Sequence, residues 1–289
     1  MPNKYLITLV ATLLVSGLVH AQSEAQPESR LRLISAGGSV TAQLRALGLE
    51  SSLVGIDSTS VSETDPLPLP NIGYPRQMNA EGLLSLAPDV LIGTEEMGPP
   101  GILEQMQQAG VEVLVLSADP SLAALFDNIR LLGTRFQRKQ AAEALLDDLD
   151  ARIAALPPVV EPRPEALFLL SHSGSGSILV AGDATAGASL IALGGMRNAV
   201  SGRFSQYRAL SAESFLALSP EWLLTTTQSL EMAGGSAQLL GLQPALAATP
   251  AGRSGQVLGV EGSHMVGGFS PAITGTLAQL RAALAATPE

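Results

Sequence analysis

The sequence predicts an α/β protein built from two related halves joined by a long amphipathic helix. Three observations predict it. Short apolar runs alternate with helix-period segments along most of the chain, the pattern of a largely parallel sheet. The stretch NIGYPRQMNAEGLLSLAPDVL (71–91) returns later as QYRALSAESFLALSPEWLL (206–224). With Glu81 set against Glu213, Arg76, Ala80, Leu84, Leu86, Pro88 and Leu91 all fall on identical residues. Between the two copies, apolar residues at 3–4 spacing extend from Leu122 to Leu156. Duplication of this kind points to a function seated between the halves.

Residues 1–21 read as an export signal. Lys4 supplies the positive start, Leu6 to Leu18 the apolar segment, and Val19-His20-Ala21 a small-residue cleavage site. The apolar run is too short, and too closely followed by Gln22-Ser23-Glu24, to span a membrane comfortably. An N-terminal lobe is expected over 22–118. Leu31 to Ser35 is a strand stopped by Ala36-Gly37-Gly38-Ser39; Val40, Leu44 and Leu47 mark a helix ending at Gly48; Leu53 to Ile56 is a second strand. The extended PLPLP run (Pro66 to Pro70) leads into a loop carrying Tyr74 and Arg76, then a helix from Asn79 to Ala87 and a strand launched by Pro88-Asp89. Ile102 to Ala109 is another helix, closed by Gly110, and Val111 to Leu116 another strand.

A connecting segment is expected over 119–158. Asp119-Pro120-Ser121 starts it, since Asp and Ser cap helices and Pro fits the first turn. Leu122, Leu125, Ile129, Leu132 and Phe136 keep helical spacing, and Leu145, Leu149, Ile153 and Leu156 resume it. Gly133 is a candidate break; a second helix of about 18–20 residues would then reach roughly 30 Å. Pro157-Pro158 ends it. The C-terminal lobe, 159–289, opens with a strand from Ala166 to Leu170 that breaks off at SHSGSG (171–176). Ile178 to Ala181, a helix ending at Leu193-Gly194-Gly195, and the repeated stretch follow. A helix near Ala237 to Leu240, a strand from Val257 to Val260, a loop from Gly262 to Pro271 and a helix from Ala272 to Ala286 complete it.

Composition narrows the function. The formal charge is -10, and removal of the signal takes one lysine and no carboxylate, leaving Lys139 as the sole lysine. Such a chain suits neither nucleic acid nor anionic membranes. Aromatics, at 3%, are too scarce for stacking platforms. The absence of cysteine excludes a disulfide framework and a lipid-modified N-terminal cysteine, so free diffusion in a periplasm is the expectation.

The chemical inventory is short. There is no G-x-S-x-G elbow, no phosphate loop and no dinucleotide fingerprint. A secreted hydrolase using Ser173 or Ser175 with His172 is the remote alternative. Beyond the signal, two histidines and no cysteine argue against a zinc cage. Tyr74 is the foremost candidate, because a phenolate is a hard oxygen donor suited to ferric iron and serves as an axial ligand of haem. Its ordinary pKa is near 10, so ionisation needs help. Arg76, two residues on in an extended loop, would lie on the same side and supply it. The alternative is a packed Tyr74 with Arg76 in a surface ion pair. His172 stands at the carboxyl end of a strand, where open α/β sheets gather ligands; it is either an iron ligand or a loop histidine satisfied by backbone. Tyr207 and Arg208 face the same cleft or simply belong to the repeat, and His264 lines it or turns a corner. Met78, Met97 and Met265 read as packing. Glu81 and Glu213 begin the two equivalent helices, which favours them through the helix dipole. They also offer a partner with two equivalent subunits one carboxylate per lobe.

The segments RLRLISAGGSVTAQLRALG, GYPRQMNAEGLLSLAPDVLIG, LFLLSHSGSGSILVAGDATAGASLIALGG and YRALSAESFLALSPE resemble the periplasmic haemin-binding proteins of bacterial ABC-type haem importers. That group is part of a wider one that also carries cobalamin and ferric siderophores. The resemblance covers about Leu31 to Leu284. It implies two Rossmann-like lobes joined by a single long helix, with the ligand cleft between them and little movement on binding. It further implies a non-enzymatic, monomeric carrier of one or two haems, which it delivers to an ABC permease dimer in the inner membrane. Tyr74 would be the axial iron ligand and Arg76 its hydrogen-bonding neighbour. His172 would ligate a second haem, Tyr207, Arg208 and His264 would surround the cargo, and Glu81 and Glu213 would dock on the permease. A siderophore or cobalamin carrier of the same fold is the alternative. One departure stands out: the family often has G-F-G-P-R near the end, where this chain has Gly268-Phe269-Ser270-Pro271-Ala272 and so lacks a basic contact.

Overall fold

A computed structural model describes residues 31–61, 66–159, 161–171 and 178–286. The expected export signal, His172, Ser173 and Ser175 lie outside the described residues. The first sheet is built from β1 (Leu33–Ala36), β2 (Leu53–Ile56), β3 (Val90–Thr94) and β4 (Glu112–Leu116), in the order β2-β1-β3-β4 and parallel throughout. Helices α1 (Gly38–Ala46), α2 (Ala80–Ser85) and α3 (Pro100–Gln108) connect these strands. β3 is buried at every position, as expected for a central parallel strand covered on both faces.

The single long joining helix is corrected to two, α4 (Leu122–Arg135) and α5 (Lys139–Ala154). The break falls at 136–138, where Gln137 takes a φ of 55°, not at Gly133. Gly133 lies inside α4 and serves packing instead. A Cβ there would sit 2.5 Å from that of Ala142, so only glycine lets α5 approach so closely.

The second sheet contains β5 (Glu165–Ser171), β6 (Ile178–Val180), β7 (Arg197–Asn198), β8 (Arg208–Ala209), β9 (Trp222–Thr226) and β10 (Val257–Val260). Its order is β10-β9-β5-β6-β8, with β7 pairing β5. β10, β9 and β5 are parallel, but β6 pairs antiparallel with both of its neighbours, β5 and β8. Only residues 172–177 separate β5 from β6, too few for the crossover a parallel neighbour needs. Helices α6 (Ala186–Leu193), α7 (Ala212–Leu218), α8 (Thr227–Ala233), α9 (Ser236–Leu242), α10 (Pro244–Ala247), α11 (Pro250–Ser254) and α12 (Ile273–Ala285) complete the half.

The internal repeat holds at the level of single bonds. β1 meets β3 with Leu33 opposite Val90, and β5 meets β9 with Ala166 opposite Trp222. Asp89 accepts from the Arg32 N–H at 2.8 Å, and its equivalent Glu221 from the Glu165 N–H at 3.0 Å. Asn79 caps α2 and Ser211 caps α7. Even the left-handed residues correspond: Ala87 (φ 43°) follows α2 and Ser219 (φ 48°) closes α7.

One apolar interior runs through both halves. The same buried cluster holds Leu33, Val40 and Ile92 of the first half, Ile129 and Leu149 of α4 and α5, and Phe168, Leu224 and Leu277 of the second. Each such side chain contributes about 1.5–3 kcal/mol through burial. Polar stitching supplements it where the loop after β10 reaches α1. The Ser39 N–H donates to the Val266 carbonyl at 3.2 Å and the Ser39 hydroxyl to that of Gly267 at 2.7 Å. A Cβ on Gly38 would stand 2.8 Å from the Ser263 carbonyl oxygen, so a side chain there would push this loop away.

Candidate functional site

Tyr74 sits on a loop fixed from both sides. Upstream, the Ile72 N–H donates to Ile56 at 2.9 Å and the Ser58 N–H to Gly73 at 2.9 Å, tying the loop to the end of β2. Downstream, Pro75 is buried and opens a 3-10 turn, Pro75–Gln77, whose last N–H returns to the Tyr74 carbonyl at 2.8 Å. The Gly98 N–H donates to Pro75 and the Met78 N–H to Gly98, joining this turn to the loop after β3. Yet Tyr74 as a residue is 44% exposed. A pinned backbone under an exposed phenol presents an oxygen to something outside the fold.

The same depression is lined by Ala36, Gly37, Pro75, Arg76, Thr94, Glu96, Val266 and Gly267. Val266 and Gly267 come from the second half, so the site lies where the halves meet. Of this lining, Gly37 is held by the fully buried Asp57, which accepts from the Gly37 N–H at 2.9 Å and from the Thr59 N–H at 2.8 Å. Arg76 reaches the depression from the 3-10 turn rather than from extended chain, so alternation along a strand is not what places it. Its guanidinium donates to Glu96 Oε1 at 2.6 Å. This bond to Glu96 is the main reason the guanidinium holds its proton more firmly than usual; partial burial opposes that, and the charges of Glu96 and Tyr74 add to it. Sequence reasoning missed Glu96. The available signal was its position just past the carboxyl end of β3, where ligands of α/β sheets collect.

Tyr207 is half-buried and packs against the interior that runs through both halves, near Gly187 and Thr185 at the start of α6. Burial pushes its phenol up, the polar groups of Gly187 and Thr185 oppose the rise, and the charge of Glu96 adds to it. Arg208 is exposed on β8, with its guanidinium carbon 5.5 Å from the centroid of the Phe204 ring. His264 lies in a 3-10 turn packed against α1; its Nδ1 is enclosed without a partner. Burial lowers its pKa, and Glu261 works the other way. The structure therefore gathers Tyr74, Arg76 and Glu96 in one depression and gives Tyr207 and His264 packed surroundings. Glu81 and Glu213 are exposed in the first turns of α2 and α7. Chemically, the depression offers one phenol, one cation and one carboxylate among small apolar residues.

Comparison with known proteins agrees with this architecture. The periplasmic binding protein family matches residues 33–262. The chain is similar to the periplasmic haem-binding protein HutB of Vibrio cholerae, at 36% identity and TM-score 0.80, over 90% of this chain and 100% of that one. It is similar to a periplasmic haem-binding protein from Pseudomonas aeruginosa at 40% identity and TM-score 0.79, over 89% of this chain and 94% of the other. A vitamin B12-binding protein of Pectobacterium atrosepticum is 23% identical over 197 residues, 67% of this chain and 70% of that protein.

Proposed function

This chain belongs to the periplasmic binding protein family, and from that premise we propose that it carries ferric haem, holding the iron through the Tyr74 phenolate. The observation that carries this reading is the exposed phenol on a pinned loop at the meeting of the halves, with Arg76 in the same depression. Tyrosinate is a hard oxygen donor known as an axial ligand of haem iron. The haem faces would lie against the small residues of the lining, with Tyr207, Arg208 and His264 nearby. His172 is the candidate ligand for a second haem. Delivery would be to an ABC permease dimer in the inner membrane, approached through Glu81 and Glu213, with the carrier a monomer in the periplasm.

Mixing purified apoprotein with ferric haem tests this directly. A high-spin spectrum of the tyrosinate type is expected, and Tyr74→Ala should lose it while keeping the far-UV circular dichroism of the parent. A wild type that leaves the haem spectrum unchanged would end the reading. The vitamin B12-binding relative favours one second reading, a corrinoid carrier. Retention of cyanocobalamin, with haem ignored, would establish it instead.

A further inference from the structure

We propose that Asp57 is the positioning residue for the Tyr74 phenol, fixing its loop to the β1–α1 turn; the inference rests on the ligand role given to Tyr74 above. Asp57 directly follows β2 and is fully buried. Its Oδ1 accepts from the N–H of Gly37, which lines the same depression as Tyr74, at 2.9 Å. Its Oδ2 accepts from the Thr59 N–H at 2.8 Å, and the hydroxyls of Thr59 and Ser60 donate to the two oxygens as well. The turn held in this way places the Ser58 N–H on the Gly73 carbonyl at 2.9 Å, one residue before Tyr74. One carboxylate thus joins the β1–α1 turn to the loop of the phenol. Burying a carboxylate is costly unless donors surround it, and this one has four.

The internal repeat supplies an independent observation. Asp57-Ser58-Thr59 after β2 returns as Asp183-Ala184-Thr185 after β6. The backbone is used alike in both: the Ala184 N–H donates to the carbonyl of Ser205, the match of Gly73, at 2.8 Å. The carboxylate is used differently. Asp183 is exposed and accepts from the Gly202 N–H of its own half at 2.8 Å. There the place of the phenol is taken by Gln206. Of the two halves, the one that turns its aspartate inward is the one that carries the phenol.

A ligand atom has to be held within about 0.5 Å of its productive position by the groups around it. Tyr74 is 44% exposed, so packing of its own side chain is incomplete and the backbone has to supply the precision. Asp57, buried behind the turn, acts through Ser58 and Gly73 rather than on the cargo.

The test is Asp57→Asn, which keeps the shape but leaves one acceptor oxygen where two are used. Ferric haem is titrated at a temperature where far-UV circular dichroism shows each variant folded. Affinity should fall about tenfold, the usual scale when support behind a metal ligand is lost, and the tyrosinate band should move. Asp183→Asn should leave both unchanged. Leu149→Ala, which weakens the core far from the loop, should also bind as wild type does. Wild-type affinity and band in Asp57→Asn overturn the proposal, and so does an equal loss in Leu149→Ala, which would make the effect one of stability alone. If Asp57→Asn fails to fold, Thr59→Val removes only the hydroxyl; it should weaken binding in the same direction, and wild-type binding overturns the proposal. In the apoprotein, Asp57→Asn should speed hydrogen exchange of the Ser58 N–H about tenfold more than that of Ile92 in β3. Equal acceleration at the two sites overturns it. A wild type lacking the tyrosinate spectrum ends the haem reading, while the exchange comparison involves no haem and still decides whether Asp57 holds the loop.

Discussion

At the scale of single residues, the two halves solve the same local problems with different side chains. Asn79 and Ser211 both cap a short helix, one with an amide oxygen and one with a hydroxyl. Ala87 and Ser219 both take the left-handed conformation that lets the chain leave the helix for a buried proline and the next strand. For an L-residue that conformation costs about 1–2 kcal/mol. Ala87 is exposed, so substitutions there report backbone strain rather than packing. Ala87→Gly is expected to be neutral or to stabilise by about 0.5 kcal/mol, since relief of strain slightly exceeds the added freedom of the unfolded chain. Ala87→Val should destabilise by about 1–2 kcal/mol, because a β-branched side chain fits that region worst. Urea midpoints of the two variants check this; equal midpoints would show that the turn is not strained.

At the scale of elements, the loop carrying Tyr74 and the loop after β3 form one unit, because backbone bonds through Pro75, Met78 and Gly98 join them. This is why an exposed phenol can be presented without a buried side of its own. Helices α2 and α7 are a second pair of devices. Each exposes a glutamate in its first turn and buries a large residue two positions on, Leu83 in one and Phe215 in the other. Both carboxylates therefore stand on anchored helices. Reversing charge with Glu81→Lys and Glu213→Lys together should cripple haem uptake by cells while leaving haem affinity of the purified protein intact. Normal uptake by that double variant would remove the docking role.

At the scale of the whole molecule, the shared interior decides the mechanics. Leu33 and Ile92 belong to the same buried cluster as Phe168 and Leu224, bridged by Ile129 and Leu149. Halves that bury apolar surface against common helices have little independent stability to lose. Thermal unfolding of the apoprotein should therefore be a single cooperative transition. Leu149→Ala, at a fully buried position, should shift that one transition downward, consistent with the loss of about 2–5 kcal/mol. Two resolved transitions in the variant would mean that the halves unfold separately.

Much of this was written in the chain itself. Apolar periodicity fixed the existence and order of most strands and helices, and the repeat gave the two-half plan, because both depend on spacing within a few residues. Tyr74 and Arg76 stood out as candidates for the same reason, as rare side chains in a loop between recognisable elements. The antiparallel β6, the break at Gln137 in place of Gly133, and the pairing of Arg76 with Glu96 were not. Each depends on which distant segments come to lie side by side: a strand's neighbour, a helix packed against a glycine, a carboxylate brought from the far end of β3. Local pattern specifies what a segment can become, while the packing of the whole chain decides what it meets.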